Sequence, residues 1–152
     1  MIEQKLSDEY FMQKALNEAH IAFENDEVPV GAIIVCNNKI IAKAHNLTET
    51  LTDFTAHAEM QVFTAASEYL QNKYLTDCTL YVTLEPCIMC AGAAFWTRIG
   101  KIIYGAADKK RGLQSVKSQI LHGSTKIKGG ILEDDCSKIL KSFFFNKRIS
   151  NN

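Results

Sequence analysis

Apolar side chains at Phe11, Ala15, Leu16, Ala19, Ala22 and Phe23 recur at three- and four-residue steps, the period of a helix with one buried stripe. The pattern predicts a helix from Asp8 to Asn25, with Ser7 or Asp8 as its N-cap and Glu24 to Glu27 as its end. His20 falls beside the stripe and reads as a structural or surface residue. From Val28 to Val35 the pattern changes to a run rich in β-branched residues. Asn37 and Asn38 interrupt it, and Lys39 to His45 resumes it. Two such runs about a tight Asn-rich turn predict a β-hairpin. Gly31 inside the first run marks either the close approach of a ligand or another backbone, or a packing gap. Asn46, leaving the second run, is either a turn residue or a base-binding one.

A loop from Leu47 to Phe54 leads to the run Thr55 to Glu59, with His57 at the start of a helical stretch that ends near Gln71, supported by Ala58, Val62, Ala65, Ala66 and Tyr69. Cys78 to Leu84 reads as a buried strand that ends at Pro86. Proline favours the first helical position, which predicts Cys87 and Cys90 on the first turn of a helix running to about Trp96. The closing segment, Ile131 to Lys147, carries Ile131, Leu132, Cys136, Ile139, Leu140, Phe143 and Phe144 on one helical face. Phe145 falls off that stripe, placed either to stack on an RNA base or to pack on a partner subunit.

Length and composition bound what these elements can build. A chain of 152 residues, 47% hydrophobic and 22% charged, fits one globular domain over residues 1–152. Its apolar runs fall short of the roughly 20 residues that span a bilayer, and the first five residues do not resemble a secretory leader. The reading is a cytoplasmic protein without a membrane segment. Five cysteines, two of them in a C-x-x-C, do not suit a secreted disulfide framework; Cys36, Cys78 and Cys136 read as buried core thiols. The formal charge of zero hides an asymmetry. Residues 1–97 hold 5 Lys and Arg against 13 Asp and Glu, whereas residues 98–152 hold 12 against 4. A basic C-terminal third suits a phosphate backbone, or it is a solvated surface compensated elsewhere.

Two short runs carry the candidate chemistry: His57-Ala58-Glu59, and Pro86-Cys87 with Cys90. Alone, the first is equally a helix start that happens to hold a histidine and an acid. Alone, the second is equally a redox pair or half of a structural zinc site. Taken together, one His and two Cys supply three ligands of the kind zinc prefers and leave a fourth position for water. Glu59 is the acid built into the motif without being needed as a ligand, which suits it to carry protons. A His-x-Glu answered by Pro-Cys-x-x-Cys is the signature of zinc deaminases that act on nucleobases.

On these motifs, with Glu27 to Ala32 and Leu80 to Ala93, the chain resembles the cytidine deaminase-like superfamily and within it the bacterial tRNA-specific adenosine deaminases, from Phe11 to about Arg148. The resemblance implies an α/β fold, a three-layer α/β/α domain around a mixed five-stranded sheet. It also implies a homodimer with one zinc ion per subunit, held by His57, Cys87 and Cys90, with Glu59 as the proton shuttle. Asn46 would orient the nucleoside, the Ala58 N–H would hold the base, Val30 would wall the pocket, and Asp108 would lie near the substrate backbone or else be a turn aspartate. The implied activity is hydrolytic conversion of adenosine to inosine at the wobble position in a tRNA anticodon loop.

The chain also departs from that family. Asp53-Phe54 stands where Asp-Pro is usual, the stretch after His122 is short, and Phe95-Trp96-Thr97-Arg98 looks more like bacterial guanine deaminases. Trp96 is then either a core residue or a shaper of the pocket. Two further readings follow: a deaminase of free guanine, cytosine or nucleosides, and a non-catalytic zinc subunit that helps a partner bind RNA. The intact His-x-Glu argues against the second.

Overall fold

A computed structural model describes residues 4–116 and 118–151; the reading of Met1 to Glu3 as no leader concerns residues outside these. Helix α1 (Asp8–Glu24) starts on Ser7, whose hydroxyl accepts the Tyr10 N–H at 3.1 Å, satisfying one of the amide groups a helix start leaves open. Strands β1 (Gly31–Cys36) and β2 (Lys39–His45) pair antiparallel. Asn37 and Asn38 both take positive φ, 51° and 63°, as the mirror-image turn of a two-residue hairpin requires. Val28 to Val30 lie before the strand and not in it, since the Val30 N–H closes a tight turn onto the Val28 carbonyl at 2.8 Å.

Helix α2 (Ala58–Leu70), strand β3 (Cys78–Leu84), helix α3 (Ile88–Thr97) and strand β4 (Lys101–Ala106) follow. A short strand β5 (Lys126–Lys128) and helix α4 (Glu133–Ser150) complete the chain. The sheet order is β2-β1-β3-β4-β5, with β1 antiparallel to both neighbours and β3, β4 and β5 parallel. The parallel β3–β4 pair needs a crossover, and α3 supplies it.

Side chains alternate across the sheet. Ile33, Val35, Tyr81 and Ile103 pack with Phe11, Met12 and Leu16 of α1 and with Cys136 and Ile139 of α4. Ala32, Ile34, Leu80, Val82 and Ile102 pack with Val62, Phe63 and Ala66 of α2 and Ala94 of α3. The result is the expected three-layer α/β/α arrangement around a mixed five-stranded sheet. Each large side chain buried this way contributes about 1.5–3 kcal/mol of transfer free energy. Gly31 resolves to a backbone approach: a Cβ there would run into the Ala15 carbonyl and the Ala19 amide of α1. Cys78 and Cys136 are buried as read, and Cys36, half-buried, stands opposite Cys78 across the strand pair.

The second helix begins at Ala58, with His57 extended (φ −70°, ψ 152°) as its N-cap, at the helix start as read. Two expectations change. Cys87 is likewise an N-cap (φ −72°, ψ 174°), so Pro86 precedes the helix and does not open it. In α4 the face is narrower than its sequence pattern, for Phe144 turns outward and is exposed, as is Phe145. The basic surplus is partly spent on ion pairs, Lys128 with Asp8 at 3.3 Å and Lys147 with Asp26 at 2.7 Å. Among the described residues no helix is long and apolar enough to cross a membrane.

Candidate active site and metal centre

The N-terminal ends of α2 and α3 converge at the carboxyl end of β3. His57 and Cys87 cap the two helices, and Glu59 and Cys90 lie one short step inside them. His57 Nδ1 stands 3.6 Å from Cys87 Sγ and 3.5 Å from Cys90 Sγ. The ligand atoms of His57, Cys87 and Cys90 lie within 4.8 Å of one another. An imidazole and two thiols at this spacing can hold one metal ion, and two helix N-termini stabilise the thiolate form that binding requires.

The electrostatics agree. A hydrogen bond from the Cys90 thiol, with His57 behind it, brings the Cys87 thiol down to about 4. The same Cys87 contact, with burial, drives Cys90 upward, so one sulfur of the metal-free pair holds the charge and the other the proton. Hydrogen bonding to Cys87 raises the His57 imidazole, and burial raises the Glu59 carboxyl above the usual range.

His57, Glu59 and Cys87 line a cavity of about 860 Å³, with Cys90 buried behind them, within the size range of small-molecule and cofactor sites. Val30, Asn46, Ala58 and Asp108, all singled out in the sequence, line it together with His57, Glu59 and Cys87. Asn46 is buried and held by its own side chain, whose Oδ1 accepts the Thr48 N–H at 3.3 Å and whose Nδ2 donates to the Val28 carbonyl at 3.4 Å. Trp96 is placed elsewhere. It is 77% exposed on the outer side of α3, edge-on to Phe95, and belongs neither to the core nor to the cavity wall.

Two buried carboxylates that sequence reasoning passed over shape the mouth. Glu27, 0% exposed, accepts the Glu49 N–H at 3.0 Å and the Thr50 N–H at 2.7 Å, holding the loop between β2 and α2. Glu85 accepts the Asp108 N–H at 3.1 Å and the Gln114 N–H at 2.9 Å, holding the loop after β4. The first lip carries Phe54 and the second Lys109, Lys110 and Arg111, with Leu140 and Phe144 of α4 beside them. Only the acid-rich Glu24 to Glu27 cluster and the Glu85-Pro86 step hinted at these roles.

An α/β/α sandwich that brings a His-x-Glu and a Cys-x-x-Cys together at two helix starts defines a nucleobase-deaminase class of site. The chain matches the MafB19-like deaminase family over residues 6–148. It is 48% identical to a tRNA-specific adenosine deaminase of Aquifex aeolicus over 97% of this chain and 99% of that one. It is also 44% identical to the Bacillus subtilis tRNA-specific adenosine deaminase over 90% and 88%. A solved structure from a study of A-to-I editing by tRNA:A34 deaminases at the wobble position of transfer RNA superposes with a TM-score of 0.81. It is 41% identical, covering 86% of this chain and 99% of that chain. The chain belongs to the family of tRNA-specific adenosine deaminases.

Proposed function

We propose that this protein, acting as one deaminase domain over residues 1–152, converts adenosine to inosine at the wobble position of a tRNA. The observation that carries this reading is the meeting of His57, Cys87 and Cys90 beside the buried Glu59, at the base of a cavity with a cationic lip. Zinc is the metal that this donor set fits, one ion per subunit, and when bound it makes water a competent nucleophile near neutral pH.

The chain's own residues do the rest. Glu59, poised upward by burial, takes a proton from the attacking water and passes protons to the purine N1 and to the departing amine, so that adenosine and water become inosine and ammonia. The Ala58 N–H and the Asn46 side chain orient the extruded nucleoside, and Val30 closes one wall against solvent. Asp108 sits on the cationic lip, near the path of the RNA backbone, where Lys109, Lys110 and Arg111 neutralise phosphates. This gives the anticodon loop as partner and the cytoplasm as compartment. The exposed apolar side chains of α3, Ile88 at its start and the Phe95–Trp96 pair near its end, support a homodimer, since exposed apolar surface favours burial against a second copy.

The test is a substrate panel. Purified zinc-loaded protein is given a tRNA with A34, free adenosine, guanine and cytosine, and inosine and ammonia are measured. Inosine in the tRNA is the expected result; turnover of guanine with none in the tRNA overturns the assignment.

A further inference from the structure

Phe54 is the most exposed large apolar side chain described in the protein, at 91%. An aromatic ring left in water forgoes the favourable burial that makes such side chains core residues. Its position is nevertheless fixed on both sides. The Asp53 carboxylate accepts the Thr55 N–H at 2.8 Å and the Thr55 hydroxyl at 2.7 Å, and the Ala56 N–H donates to the Asp53 carbonyl at 3.1 Å. Further back, the Asp53 N–H donates to the Thr48 carbonyl at 3.0 Å, and the Leu47 N–H to the Ala56 carbonyl at 3.0 Å. The ring stands at the tip of a pinned turn, three residues before His57.

What lies around it decides its use. Phe54 lines the same cavity as His57 and Glu59, and Lys109, Lys110 and Arg111 form another part of that wall. An apolar face and a cationic strip sharing one mouth fit a single-stranded nucleic acid, whose bases offer π faces and whose phosphates offer negative charge. A polar small molecule held at the floor would have no use for either. Trp96 and Phe145 are also exposed, but neither lines the cavity.

We propose that Phe54 is a stacking platform for one nucleobase adjacent to the base that is deaminated, a specificity element resting on the tRNA reading above. The ring offers no hydrogen bond, so it recognises that a neighbouring base is present and not which base it is.

The test compares wild type with Phe54→Ala, Phe54→Leu and Phe54→Trp on an A34 anticodon stem-loop and on two versions that are abasic at position 33 or 35. Inosine formation gives kcat and KM, and thermal melting checks that the exposed substitutions leave the fold intact. With the intact stem-loop, F54A and F54L are expected to raise KM about tenfold with kcat retained, and F54W to stay near wild type. With one of the two abasic stem-loops, wild type and F54A should converge. The proposal is overturned if F54A matches wild type on the intact stem-loop, if F54L behaves as wild type, or if F54A is impaired equally on all three RNAs. A wild-type protein that forms no inosine on the intact stem-loop removes the tRNA reading itself, a different outcome from an active wild type indifferent to residue 54.

Discussion

One oxygen of the Glu27 carboxylate accepts both hydrogen bonds that Thr50 can donate, from its amide at 2.7 Å and from its hydroxyl at 2.6 Å. The acid comes from the turn after α1 and the threonine from the loop after β2, so this pair ties together two segments that border the cavity.

Burial alone would raise the Glu27 carboxyl, but the Thr50 hydroxyl and the Glu49 and Thr50 amides hold it below the usual carboxylate range. A depressed folded-state value stabilises the native protein above the unfolded value and is lost as pH falls through the folded one. Glu27→Gln should cost about 2 kcal/mol at pH 7. Urea midpoints taken from pH 7 downward should show the gap to wild type narrowing below about pH 4. A gap independent of pH would mean that the charge plays no part.

Glu59→Ala is expected to keep its metal, because Glu59 lies outside the His57, Cys87 and Cys90 set. Turnover should fall by at least about 100-fold. Metal content by atomic absorption and inosine formation on the same preparation read the two effects separately.

Stripping the metal with a chelator exposes the thiol asymmetry. With Cys87 at about 4 and Cys78 and Cys136 each pushed up to about 12 by burial, iodoacetamide at pH 6 should label Cys87 in the metal-free protein while leaving the other two unmodified. Reloading zinc should protect Cys87, as peptide mass spectrometry can show. The chelated protein should also melt several degrees lower, since a bound metal stabilises only the folded state.

Glu85→Ala removes the acceptor for the Asp108 and Gln114 amides and should loosen the cationic lip without touching the metal donors. An effect of about 1–3 kcal/mol is expected mainly in KM for RNA, with metal stoichiometry unchanged. A loss of metal would place Glu85 in the centre's own support.

Gly31→Ala should destabilise the fold by about 3 kcal/mol, at the upper end for overpacking. The added methyl meets the α1 backbone, which cannot rotate away as a side chain can. Denaturant unfolding measures this directly.

Much of this was legible from residue order. The α1 stripe, the Asn37-Asn38 hairpin and the four residues of the chemical centre are local patterns, set by period and spacing. Strands β4 and β5 were not read from their own patterns: Ile102, Ile103 and Tyr104 form a short apolar run between Gly100 and Gly105, β5 is three residues long, and only the family resemblance called for more than three strands. The two carboxylate clasps were missed because Glu27 and Glu85 bind main-chain amides 22 or more residues away, and no composition signal reports such a partner. Trp96 was misplaced for a related reason. Its helix carries apolar residues on most sides, so the period does not say which of them faces the sheet.

The clasps also bear on how such a mouth can change. Glu27 and Glu85 grip mostly through peptide N–H groups, which every amino acid but proline provides. The side chains at Glu49, Asp108 and Gln114 therefore take no part in the Glu27 and Glu85 grip itself, although Asp108 Oδ1 accepts the Lys110 and Arg111 amides within its own loop. Outward residues that bind no main chain, such as Phe54 and Lys109, can be exchanged, and with them the guests the mouth admits, while the loops keep their course and the chemistry beneath stays as it is. Proline at 49, 50, 108 or 114 would remove a donor and undo the grip, and a side chain at Gly112 would run into the Glu85 carboxylate.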